Sequence, residues 1–125
     1  MGRFGEATKL NASEETRSIY DMFVERKLVG SFADLFQLSA AIGISFGERK
    51  PLEKKAQIGN PYSIDKESVF STLLEEMYPQ KTPEQRLDTL EEYAEVGIRY
   101  LKQEYEKYGA IDWQRLVNQL VLEKH

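Results

Sequence analysis

Ser31-Phe32-Ala33-Asp34-Leu35-Phe36-Gln37-Leu38-Ser39-Ala40-Ala41-Ile42-Gly43-Ile44-Ser45-Phe46-Gly47 is the stretch that decides the fold. Phe32, Leu35, Phe36, Ser39, Ile42 and Phe46 fall on one helical face, and Leu38, Ala41 and Ile44 carry the apolar surface round the side. A helix that is apolar over most of its circumference belongs at the centre of a core. Ser31 is placed to cap its start and Gly47 to end it. Ala40, Ala41 and Gly43 lack bulk, so neighbouring helices are expected to approach closely there.

Working outward, Ser13-Glu14-Glu15-Thr16 offers a capping hydroxyl and first-turn carboxylates for an earlier helix, with Ile19, Tyr20, Phe23 and Val24 as its stripe. On the other side, Glu48 to Asn60 turns polar and carries Pro51 and Gly59, which reads as a loop. A third helix is expected from Ser63 or Asp65 to Met77, closed by Pro79. Thr82-Pro83-Glu84-Gln85 is a capping box with proline at the first helical position. It opens a long helix to about Tyr108, with Leu87, Leu90, Ala94, Ile98, Leu101 and Tyr105 facing inward and Gly109 ending it. Asp112 then caps a short final helix carrying Trp113, Leu116, Val117, Leu120 and Val121. No period-two alternation is visible. The expectation is an all-α fold: a flexible N-terminal segment over 1–12, then a single compact domain over 13–125 of about five helices with a long penultimate one.

The 125 residues suit one domain, and the absence of cysteine excludes disulfides, thiolate metal sites and a cysteine nucleophile. Neither a membrane span nor the apolar core of a signal peptide is visible, which points to the cytoplasm. The net charge is −4, divided as +1 over residues 1–66 and −5 over 67–125. A nucleic-acid footprint over the whole surface would be strongly basic, so any DNA contact must come from a local patch.

Catalytic residues are hard to find. The single histidine, His125, is the last residue, where chains usually fray. Gly43-Ile44-Ser45-Phe46-Gly47 matches G-x-S-x-G in letters but has no preceding strand and no triad partners. Glu91 and Glu95, like Glu84 and Asp88, share a helix face at i, i+4, and the simplest reading is a solvated surface. Glu91, Glu92 and Glu95 are the only carboxylates dense enough for a Mg²⁺-dependent hydrolase, and no basic or nucleophilic partner accompanies them. No metal site and no cofactor are expected.

Two features suggest binding instead. Arg49, Lys50, Lys54 and Lys55 lie within seven residues. They either cap carbonyls at a helix end or contact phosphates or an acidic partner. Tyr93, Tyr100 and Tyr108 lie near one line of the long helix, either as the edge of the core or as a protein interface. A helix-turn-helix around Gly30-Ser31 is the alternative, although its second helix starts apolar and acidic where base-reading side chains are needed.

Three segments taken together carry a resemblance. Ser31-Phe32-Ala33-Asp34-Leu35-Phe36 runs into Ala40-Ala41-Ile42-Gly43, then Gly47-Glu48-Arg49-Lys50-Pro51-Leu52, and later Leu90-Glu91-Glu92-Tyr93-Ala94-Glu95-Val96-Gly97-Ile98 with Tyr100-Leu101. Their order and spacing resemble a small family associated with DNA phosphorothioation (Dnd) defence loci, over about residues 20–122. Glu48 stands where that family often has a basic residue, and Val96 where it has glycine. The resemblance implies a non-enzymatic accessory role beside phosphorothioate-dependent restriction and phage defence, and carries no catalytic residues with it. The partners expected are other proteins of the same locus, the DNA backbone at the basic loop, or a second copy of the chain, with no membrane involved.

Overall fold

The computed structural model describes residues 4–112, 114 and 115. In chain order these form β1 (Leu10–Ser13), α1 (Glu14–Glu25), α2 (Phe32–Phe46), β2 (Lys55–Gly59), a 3₁₀ turn (Pro61–Ile64), α3 (Val69–Met77) and α4 (Pro83–Tyr108). The expected final helix, with Trp113, Leu116, Val117, Leu120 and Val121, lies outside the described residues, as does His125. Asp112 does accept the Arg115 amide at 3.0 Å, as a capping residue would.

Helix starts follow the expected chemistry. Ser13 accepts the Thr16 amide, Ser31 the Asp34 amide, and Thr82 the Gln85 amide, with the Gln85 side chain returning the bond to Thr82. α3 departs from this pattern. It starts at Val69, later than Ser63 or Asp65, behind a left-handed Ser68 (φ 61°) whose side chain makes no cap bond. Asp65 supplies the oxygen instead, taking the Phe70 amide at 2.8 Å and the Ser71 amide at 3.3 Å.

The fold is mostly helical but not all-α. β1 and β2 form a two-stranded antiparallel sheet, with Ala12 opposite Ala56, Ser13 opposite Lys55, and a register irregularity between Leu10 and Asn11. Residues 4–12 therefore pack onto the helices instead of standing outside them: Phe4, Leu10 and Ala12 belong to the core. Lys55–Gly59, expected as loop, is the second strand.

α2 and α4 are the central pair. Leu35, Phe36, Ala40 and Ile42 of α2 meet Leu90, Ala94, Ile98 and Leu101 of α4, all buried. The two helices touch backbone to backbone at two reciprocal points. A Cβ built on Gly43 would run into the Tyr93 carbonyl, and one on Gly97 into the Ser39 carbonyl. α1 packs alongside through Ile19, Tyr20 and Phe23, with Tyr20 edge-on to Phe32 and Phe23 tilted against Tyr105.

The crossing makes a sign test. On helix propensity alone, alanine at Gly97 should stabilise α4 by about 1 kcal/mol. Overpacking against the Ser39 backbone costs more, so Gly97→Ala is expected to destabilise the protein by about 2 kcal/mol. Urea unfolding would show a lower midpoint with an unchanged slope; a raised midpoint would refute the close crossing.

Candidate functional site

The basic loop begins where Gly47 ends α2 in the left-handed conformation (φ 70°) that glycine adopts without strain. The chain then crosses to α4, and the Lys50 amide donates to the Glu92 carbonyl at 3.1 Å. At its far end the Glu14 amide donates to the Lys54 carbonyl at 2.7 Å, just before β2 begins. The loop is thus tied to α4 and to the start of α1.

Its four cations divide into two kinds. Arg49 is anchored: its guanidinium lies 3.4 Å from the Glu92 carboxylate and over the rings of Tyr78 and Tyr93, at 5.5 and 5.9 Å from their centroids. Lys55 faces Asp88 at 3.3 Å, an exposed pair of small energetic value. Lys50 and Lys54 are exposed and make no ion pair among the described residues. Both line a cleft of about 600 Å³ beside Pro51, Glu53, Ser13, Glu14, Glu15, Glu95 and Arg99.

The floor of this cleft was not foreseen from the sequence. Glu95, expected on a solvated surface, is buried at 2% exposure. The Ser13 hydroxyl donates to its Oε2 at 2.6 Å and the Thr16 hydroxyl to its Oε1 at 2.8 Å, while Arg99 donates to Oε2 at 3.0 Å. Arg99 also forks onto both oxygens of Glu15 at 3.2 Å, and this contact holds the exposed Glu15 carboxyl below its usual range. Bonds to each carboxylate oxygen compensate the loss of water around a buried charge. Glu91 is equally buried but far less well served. Its Oε2 takes the Asn11 amide at 2.7 Å, and its Oε1 has no hydrogen-bond partner among the described residues. The sequence did hold a signal, since Glu91 falls in the run Leu87, Glu91, Ala94, Ile98, Leu101, alternating by four and three.

The three carboxylates considered for Mg²⁺ thus face different ways. Glu91 meets β1, Glu95 meets the α1 cap, and Glu92 meets Arg49. No group of three or more potential ligands that could hold a metal occurs among the described residues.

The tyrosines are also split. Tyr93 is interior, at 5% exposure, and its hydroxyl bonds that of Tyr78 at 2.7 Å. Its hydroxyl pKa is pushed up to about 12, chiefly by burial and then by the Tyr78 contact. Tyr100 is half-buried, edge-on to Phe46 at 5.1 Å, and Tyr108 is 54% exposed. Among the three tyrosines expected at an interface, only Tyr108 is mostly exposed, and Lys107 and Arg115 lie over its ring at 5.3 and 5.0 Å from the centroid. As for the would-be recognition helix, α2 buries Leu35, Phe36 and Ile42 and exposes Asp34 and Ala41, which leaves little on it to read a base edge.

The chain matches no family model, no curated protein and no solved structure. No helix among the described residues is long and apolar enough to cross a membrane.

The contrast between buried and paired carboxylates yields a direct check. Glu95→Ala strands two hydroxyls and removes one partner of Arg99, and is expected to cost about 3 kcal/mol. Glu92→Ala breaks only a partly exposed pair and should cost less than about 1 kcal/mol. Equal shifts in the two urea midpoints would contradict the hydrogen-bond network described for Glu95.

Proposed function

We propose that this protein is a non-enzymatic interaction subunit of a DNA phosphorothioation-linked restriction or phage-defence system, docking a protein partner through the Lys50–Lys54 loop and the cleft beneath it. The observation that carries the reading is the pair of exposed cations, Lys50 and Lys54, which make no ion pair among the described residues and stand at the mouth of that cleft on a loop tied at both ends. A tethered loop loses little entropy on binding, which favours specific recognition. The cleft also contributes Glu14, Glu53 and the Glu15–Arg99 fork. Mixed charge of this kind suits a protein surface with both signs better than a uniformly anionic polymer. The DNA backbone remains a secondary contact, because Arg49 and Lys55 already face carboxylates.

The segments behind the resemblance to the Dnd-associated family also meet in space, which supports reading them together. Gly43 and Gly97 make the helix crossing, Arg49 lies over Tyr93, and Lys50 bonds the Glu92 backbone.

The test is association of the purified protein with the nuclease and ATPase components of such a locus, followed by calorimetry. Lys50→Glu combined with Lys54→Glu is expected to weaken the complex at least about tenfold, the equivalent of about 1.4 kcal/mol. Lys55→Gln should leave it nearly unchanged. Failure to associate with any component, or with a DNA duplex at low salt, would overturn the reading.

A further inference from the structure

We propose that Glu91 is a pH-sensitive latch that holds the N-terminal strand β1 against α4 when protonated and loosens it when ionised. This goes beyond the docking reading and does not depend on what the basic loop binds.

Two carboxyls one helical turn apart on α4 are unequally served by hydrogen bonds. Glu91 and Glu95 are buried to the same 2% exposure on the side of α4 that meets the N-terminal segment. Glu95 receives three hydrogen bonds spread over both oxygens. Glu91 receives the Asn11 amide on one oxygen, while its other oxygen is buried with no hydrogen-bond partner among the described residues. A buried carboxylate is tolerated when its lone pairs are filled, and an unfilled oxygen makes the ionised form costly.

The groups facing Glu91 do not remedy this. The backbone amide and the side chain of Asn11 in β1, with the Lys55 ammonium of β2, favour the ionised form, but Lys55 also faces exposed Asp88, which opposes it. Tyr20 of α1 is deeply buried nearby, and its own ionisation is suppressed by burial, with Glu95 and Glu91 adding to the effect. Desolvation dominates and pushes the Glu91 carboxyl from 4.5 up to about 7.

The sign follows from linkage. A carboxyl whose pKa is raised in the closed state stabilises that state at low pH, and the benefit is lost as pH rises towards the raised value. When β1 lifts away, water reaches Glu91 and its pKa returns towards 4.5. The opening constant is therefore expected to rise about tenfold between pH 6 and pH 8. A strand of four residues in a two-stranded sheet is short enough for such local opening, with Leu10, Ala12 and the Ser13–Glu95 bond setting the cost that Glu91 modulates.

Hydrogen exchange of the intact protein reads this directly. Protection factors, which remove the intrinsic pH dependence of exchange, should fall about tenfold from pH 6 to pH 8 for amides of residues 10–12, while those of residues 35–42 in α2 stay level. In Glu91→Gln, which keeps the shape and removes the charge, protection of residues 10–12 should be flat across that range. The proposal is overturned if the wild-type response is absent or if Glu91→Gln retains it. Should that variant not fold, carbon NMR titration of the wild-type Glu91 carboxyl decides: a midpoint close to 7 supports the latch, and one near 4.5 overturns it.

Discussion

The close passage of α2 over α4 is the constraint on which the rest of the structure depends. Two helices with ordinary side chains at the crossing keep their axes some 8–10 Å apart. Here each helix offers a glycine to the backbone of the other, Gly43 to Tyr93 and Gly97 to Ser39. The approach draws Leu35, Phe36, Ala40 and Ile42 into full contact with Leu90, Ala94, Ile98 and Leu101, leaving these eight side chains at 2% exposure or less. It also fixes the rotation of α4 about its own axis. With one side committed to α2, the side bearing Glu91 and Glu95 must meet the N-terminal segment, and Glu92 must meet the loop that leaves α2.

That rotation explains a sheet that would not persist by itself. Two short strands bury too little to be stable alone. In this protein, α4 supplies the missing support through polar contacts: Glu91 to the Asn11 amide, and Glu95 to the hydroxyls of Ser13 and Thr16. Ser13 closes β1, caps α1 and bonds Glu95, so one hydroxyl ties three elements together. Ser13 and Glu95 of this network also line the cleft beside Lys50 and Lys54. Architecture and candidate binding site are therefore built from the same few residues.

Much of this was legible in the sequence. The periodicity of Phe32 to Phe46, the capping box at Thr82 and the small residues at Gly43 and Gly97 define the central helices, because each is a local signal with one physical meaning. The sheet was not legible. Leu10–Ser13 and Lys55–Gly59 are too short to show alternation, and their pairing depends on helices distant in sequence, α4 lying some eighty residues beyond β1. The candidate site was half legible. The cluster Arg49 to Lys55 stands out as charge, but nothing local says that Arg49 lies over two tyrosines while Lys50 makes no ion pair among the described residues. Glu91 and Glu95 were misread because residue type outweighed position; a glutamate inside an apolar stripe is either a paired interior group or a strained one, and this chain has one of each.

The contacts that fasten the N-terminal segment also bear on the order in which the chain can assemble. Glu6, Asn11, Ser13, Glu15 and Thr16 all bond residues of α4 that lie 78 to 84 positions further on. Closing a loop of that size costs about 4 kcal/mol of chain entropy beyond the length-independent part. During synthesis the first fifteen residues must then wait for Glu95 and Arg99 to leave the ribosome, on the order of ten seconds after their own emergence. Through that interval Leu10 and Ala12 lack the cover of α4. The strand that begins the chain is thus one of the last pieces to find its place.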